Sequence, residues 1–256
     1  MVTQPLWTGP AVALVNLFDH DGAVEAKRTA DHAARLVAAG IRGVVVNGST
    51  GEAAALTDAE RVELVAAVRQ ACPAVPVIAG ASGEWWRPAA DRAAAAVRAG
   101  ADAVLVAPPR LGGSLTGYYG RVSEAAAGVP VLAYHYPPVA GGPVPVDALS
   151  GLGVAGIKDS SADPARLGHE LGLGGPLAVY TGASALLGYA SWLGAAGAIV
   201  AAANLVPEEC LAAWDRDAAA QHAVLRAERE SKALPGGLKQ ALAARYGTSP
   251  VRRLGG

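Results

Sequence analysis

The chain contains four lysines, Lys27, Lys158, Lys232 and Lys239, and one of them stands in unlike company. Three lie in charged, helix-forming stretches. Lys158 follows Val154-Ala-Gly-Ile, the pattern of a buried strand. Side chains alternate along a strand, so Ile157 would face covering helices and Lys158 the opposite side. Burial disfavours the charged amine and lowers its pKa. A neutral amine can add to a carbonyl and form an imine, which then serves as an electron sink. A lysine just past a strand can equally reach solvent or pair with Asp159, and position alone leaves both readings open.

Two further clusters could act on a carbonyl compound. Gly48-Ser49-Thr50-Gly51-Glu52 is a tight polar turn ahead of a helix that starts near Thr57. Its glycines permit close backbone approach, and its amides and hydroxyls suit a carboxylate. An ordinary strand-to-helix loop would look much the same. Tyr134 and Tyr136 are two residues apart and share a face, while His135 points the other way. A tyrosine at a strand end can relay a proton; it can also be a packed ring with its hydroxyl satisfied. His135 reads as a packing histidine. No His or Cys pair has metal-ligand spacing, so neither a metal nor another cofactor is expected.

These clusters need a scaffold that gathers strand ends. Candidate strands begin near Val12, Ile41, Val75, Ala103, Pro130, Val154, Ala178 and Ala198. Each interval is long enough for strand, loop, helix and loop. The pattern predicts a (β/α)8 TIM barrel over residues 1–256, with 207–256 as a C-terminal helical region of two or three helices broken at Pro235-Gly-Gly. Weak internal similarity supports it: Leu36–Val46, Val97–Val106 and Leu193–Val200 each run from a helix end through glycine into an apolar strand. A doubly wound sheet would want a glycine-rich first turn, and Phe18-Asp-His-Asp-Gly is not one. In a barrel the active site lies at the C-terminal strand ends. There Asn47–Glu52, Tyr134, Lys158 and Tyr180-Thr-Gly-Ala-Ser would converge on one rim.

Composition excludes other classes. Of 256 residues 52% are hydrophobic, and Lys+Arg 21 against Asp+Glu 22 leaves a formal net charge of −1. That argues against disorder and against a nucleic-acid partner. Apolar stretches are interrupted well short of the ~20 residues of a membrane span, and no leader pattern is visible, so a cytoplasmic protein is expected. Phe and Met each occur once, so Ala, Val and Leu must build the core. Cys72 and Cys210 fit buried, inert thiols.

The ordered set Gly48-Ser-Thr-Gly-Glu, Tyr134-His-Tyr-Pro, Gly156-Ile-Lys-Asp-Ser-Ser, Gly182 and Gly197-Ala-Ile resembles the dihydrodipicolinate synthase / N-acetylneuraminate lyase family, over about Val12 to Leu254. The resemblance implies a class I, Schiff-base lyase or aldolase on a TIM barrel, commonly a homotetramer, acting on pyruvate or on 2-keto acids that cleave to pyruvate and an aldehyde. By motif, Lys158 would be the imine lysine and Tyr134 its proton shuttle. Ser49 and Thr50, with Gly48, would bind the keto-acid carboxylate, and Ile199 and Gly182 would line the pocket.

The chain departs from the family pattern at three places. Val139 stands where dihydrodipicolinate synthases carry an arginine for the aldehyde's carboxylate. Ala183 and Ser184 follow Gly182 where sialic acid lyases carry acidic residues. Pro109 and Arg110 replace a Tyr-Tyr pair. The expected reaction is therefore retro-aldol cleavage, or formation, of a small 4-hydroxy-2-keto or 2-keto-3-deoxy acid, its far end held by Ser184, His135 or Arg110. 4-Hydroxy-tetrahydrodipicolinate synthesis from pyruvate and aspartate semialdehyde is one alternative. Others are a non-catalytic 2-keto-acid-binding barrel and a phosphate-binding barrel enzyme, the last lacking a glycine-rich phosphate loop. A homo-oligomer, tetramer or dimer, is expected.

Overall fold

A computed structural model describes residues 5–254. Eight strands, β1 (Gly9–Ala13), β2 (Val44–Val46), β3 (Val77–Gly80), β4 (Ala103–Val106), β5 (Val131–His135), β6 (Gly156–Asp159), β7 (Ala178–Thr181) and β8 (Gly197–Val200), form a closed barrel in chain order. Every pairing is parallel, and β8 closes on β1 with Ala11 opposite Ile199. The helices are α1 (Ala26–Ala38), α2 (Asp58–Ala71), α3 (Trp86–Arg98), α4 (Leu115–Ala125), α5 (Pro164–Gly172), α6 (Leu187–Trp192), α7 (Pro207–Trp214), α8 (Ala218–Ala233) and α9 (Gly237–Tyr246).

Local sequence explains the repeating unit. Thr57 and Glu60 form a reciprocal capping box that starts α2. Helices α1 and α3 each give way to glycine, Gly40 at φ +105° and Gly100 at φ +98°, and the next strand follows within a few residues. A side chain at those angles would be strained, so glycine marks each reversal.

Strand alternation then sorts the core. On β4, Ala103 and Leu105 face inward while Val104 and Val106 meet the helices. On β5, Leu132 and Tyr134 face inward, with Val131 and Ala133 outward. Ile78, Tyr180 and Ile199 complete the inner packing, and Trp7 stacks on Tyr180 with ring centroids 4.1 Å apart. Cys72 and Cys210 are buried free thiols, and burial pushes both thiol pKa values up.

Two expectations need correction. The fifth crossover has no α-helix, only a short 3-10 turn at Val146–Gly151. Pro137, Pro138, Pro143 and Pro145, with Gly141 and Gly142, deny that stretch the amides and φ preferences of a longer helix. Strand starts also shift by up to three residues. β1 begins at Gly9 rather than near Val12, because Gly9 and Gly197 approach so closely that a Cβ on Gly197 would collide with the Gly9 carbonyl. Two glycines there hide the strand from an apolar pattern.

Candidate active site

Lys158 lies on the inner face of β6, 6% exposed, while Ile157 packs outward among the helices. In the same row its register partners are Tyr134 on β5 and Tyr180 on β7. The amine nitrogen stands 4.5 Å from the centroid of the Tyr134 ring. Burial, with no opposing charge among the described residues, brings the Lys158 pKa down from 10.5 to about 7. A substantial fraction of the amine is then a free nucleophile at neutral pH.

Tyr134 is 5% exposed, and its hydroxyl faces the hydroxyls of Ser49 and Ser160. Burial raises the phenol's pKa, and those two hydrogen bonds oppose the rise. The phenol therefore stays protonated while linked to two hydroxyls that can pass a proton on. Ser160 lies two residues beyond Lys158, so strand alternation could have pointed to it.

The turn after β2 presents Gly48 and Ser49 to a cleft of about 270 Å³ at the C-terminal rim. Tyr134, Val139, Arg110, Ser82, Arg61 and Arg92 share its wall. Thr50 belongs to the same 3-10 turn, Ser49–Gly51, and is half-buried outside that wall. Gly182 lies above Tyr180. A Cβ there would collide with Ser160 Oγ and come within 2.9 Å of Lys158 Cε, so glycine leaves room for the lysine. Ile199 is fully buried on the inner face with Tyr134 and Tyr180.

The three groups expected at the substrate's far end separate. Arg110 is exposed at the cleft, and its guanidinium donates to the Pro137 carbonyl at 3.0 Å. Ser184 is buried at the start of a 3-10 turn whose carbonyl accepts from Gln221 of α8, off the cleft wall. His135 faces the outer layer, where Nδ1 accepts from the Val144 amide at 3.0 Å, so it is a packing residue. Burial and Arg166 lower its pKa. Behind β5 and β6 Arg166 bridges two buried carboxylates, Asp159 at 3.4 Å and Glu170 at 2.8 Å.

Lys239 is helical, as its stretch of sequence suggested, but it is buried. On α9 it is 4% exposed, pairs with Glu52 Oε1 at 2.5 Å and donates to the Val251 carbonyl at 2.9 Å. Glu52 closes the Gly48–Glu52 turn in the left-handed region, φ +56°. Neither partner was separable from ordinary helix and loop charges, because the pair spans the length of the chain.

The profile of the Dihydrodipicolinate synthetase family matches residues 7–252. An "Uncharacterized DapA-like lyase" of Halobacterium salinarum is 36% identical over 209 residues, covering 78% of this chain and 68% of that one. "Probable 4-hydroxy-2-oxoglutarate aldolase, mitochondrial" of Emericella nidulans is 30% identical over 228 residues, covering 82% and 74%. The crystal structure of the chloride-inhibited dihydrodipicolinate synthase from Acinetobacter baumannii complexed with pyruvate superposes with TM-score 0.81 at 26% identity, covering 93% and 88%.

Proposed function

The chain belongs to the dihydrodipicolinate synthetase family, a family of carbon–carbon lyases, and on that premise we propose that it works through an imine on Lys158. The substrate is a small 4-hydroxy-2-keto or 2-keto-3-deoxy acid, cleaved to pyruvate and an aldehyde. The observation that carries the reading is the buried Lys158 amine against the Tyr134 ring, its pKa lowered by burial.

The neutral Lys158 amine adds to the C2 carbonyl, and the Tyr134 phenol gives its proton to the departing hydroxyl, so that water leaves and a protonated imine stands beside the Tyr134 phenolate. That phenolate, held by the hydroxyls of Ser49 and Ser160, takes the proton of the C4 hydroxyl. The C3–C4 bond breaks, its electron pair moves toward the imine nitrogen, and the aldehyde departs. The resulting enamine takes a proton at C3, and water releases pyruvate and the free amine. The substrate carboxylate lies on the Gly48-Ser49-Thr50 turn, with Ile199 and Gly182 shaping the pocket around the imine.

The cleft wall argues for a short partner. Val139 supplies an apolar surface and leaves Arg110 as the exposed cation near the mouth. On that side of the cleft Pro108, Pro109, Val139 and Ala140 offer no polar side chain with which to select a hydroxylated chain. Condensation of pyruvate with aspartate semialdehyde is the second reading, favoured by the same guanidinium. A cytoplasmic homo-oligomer fits both; no helix among the described residues is long and apolar enough to cross a membrane.

Incubation with pyruvate and borohydride, followed by peptide mapping, tests the assignment. One reduced pyruvyl group on Lys158 is expected. An adduct on Lys27, Lys232 or Lys239, or none, overturns it. Pyruvate release from a panel of 4-hydroxy-2-keto and 2-keto-3-deoxy acids separates the lyase from the synthase.

A further inference from the structure

We propose that the C-terminal segment Val251–Leu254 is a positioning device for the Gly48–Gly51 turn, acting through Glu52, and thereby sets affinity for the keto-acid carboxylate. The inference rests on the reading of that turn as the carboxylate-binding element.

Glu52 follows the turn directly, and each of its carboxylate oxygens has a distant partner. Oε2 accepts the backbone amides of Arg253 at 2.8 Å and Leu254 at 2.7 Å, while Oε1 faces Lys239 at 2.5 Å. The carboxylate is thus occupied by the tail and by α9, and it is 8% exposed at residue level. Arg253 ties the same loop a second time. Its guanidinium donates to the Ala55 carbonyl at 2.8 Å, to Glu60 at 2.6 and 2.9 Å, and its Nε to the Gly22 carbonyl at 2.7 Å. Lys239 and Arg253 lie over the ring of Phe18, 3.9 and 4.6 Å from its centroid. From the barrel side, the Asn16 amide donates to the Gly51 carbonyl at 2.5 Å.

The turn is therefore held from two sides at the C-terminal end of its short 3-10 segment, at Gly51 and at Glu52. Gly48 and Ser49 remain facing the cleft, and Leu254 lines the same cleft. Hydrogen bonds to a carboxylate need donors fixed in direction, and small displacements cost heavily: about 1 Å can cost on the order of 10²-fold. Glu52 reaches the proposed relay only through its backbone amide, which donates to the Ser49 carbonyl at 3.1 Å, so loss of its carboxylate should weaken keto-acid capture first, and trapping with pyruvate, which breaks no C3–C4 bond, reads that step.

The test is the pyruvate concentration that half-saturates borohydride trapping at Lys158. Glu52→Gln keeps the shape and loses the charge that Lys239 requires. It should raise that concentration roughly 10- to 10²-fold with the maximal trapped fraction preserved. Arg253→Gln, at a partly exposed position, should shift it in the same direction by a smaller factor, and it decides the matter if Glu52→Gln does not fold. Wild-type half-saturation in a folded variant overturns the proposal, as does a lower maximum without a concentration shift. No trapping in the wild type overturns the imine reading instead.

Discussion

Gly182 and Lys158 stand so close that any side chain at 182 would occupy the space of the lysine's methylenes, with a Cβ 2.9 Å from Cε. The amine's position is thus defined from above by an absent side chain as well as from the sides by Tyr134 and Tyr180. Gly182→Ala should push Lys158 or Ser160 aside. Its kcat/KM should fall by about 10²-fold, while the thermal midpoint drops by only the few degrees of an overpacked site. Steady-state kinetics with thermal denaturation checks this, and near-wild-type kcat/KM would show that the lysine has other room.

The pKa of Lys158 predicts a pH profile. With the folded value at about 7, the nucleophilic amine is lost as pH falls through 7, so kcat/KM should decline on the acid side. Stability runs in the same direction. The folded value lies below the unfolded 10.5, so between them the unfolded chain holds more protons and stability rises with pH. Lys158→Met should abolish turnover and raise unfolding stability by about 1–2 kcal/mol at pH 6, with the gain shrinking toward pH 10. Denaturant titrations at both ends of that range measure it.

Tyr134→Phe removes the hydroxyl and keeps the ring over the amine. It should lower kcat by roughly 10²–10⁴-fold, the scale of an acid–base contribution, with the imine still trapped by borohydride. Turnover at the wild-type rate would assign the ring to packing alone.

Arg110 predicts selectivity. Substrates whose aldehyde half ends in a carboxylate should be cleaved faster than uncharged analogues of equal length, and Arg110→Ala should erase most of that preference. A charge-assisted hydrogen bond contributes about 1.5–3 kcal/mol, so a loss of roughly ten- to a hundredfold in kcat/KM is expected for the acidic substrate only. Equal loss for both substrates would assign Arg110 to structure.

Much of the site is legible in sequence because a barrel converts strand periodicity into direction. Lys158 inward and Ile157 outward, Tyr134 inward and His135 outward, all follow from alternation. What alternation cannot supply is the partner of a charge. Lys239 and Glu52 carry ordinary local contexts, and only tertiary closure joins α9 and the tail to the loop after β2. Ser184 fails for a related reason. It follows a strand end, where the chain has left the pleat and the period of two no longer applies.

In the fifth crossover β5 and β6, the strands that carry Tyr134 and Lys158, are backed by a 3-10 turn instead of a full helix. Val144, Leu149 and Leu152 cover part of these strands, and Arg166 with its two carboxylates stands where apolar helix packing would otherwise lie. Local opening depends on the contacts that must break in that neighbourhood, not on the stability of the whole barrel. Amide hydrogen exchange should therefore be faster along Val131–His135 and Gly156–Asp159 than along β1 and β2, which carry full helices behind them. The chemistry would then reside on the part of the barrel that breathes most readily.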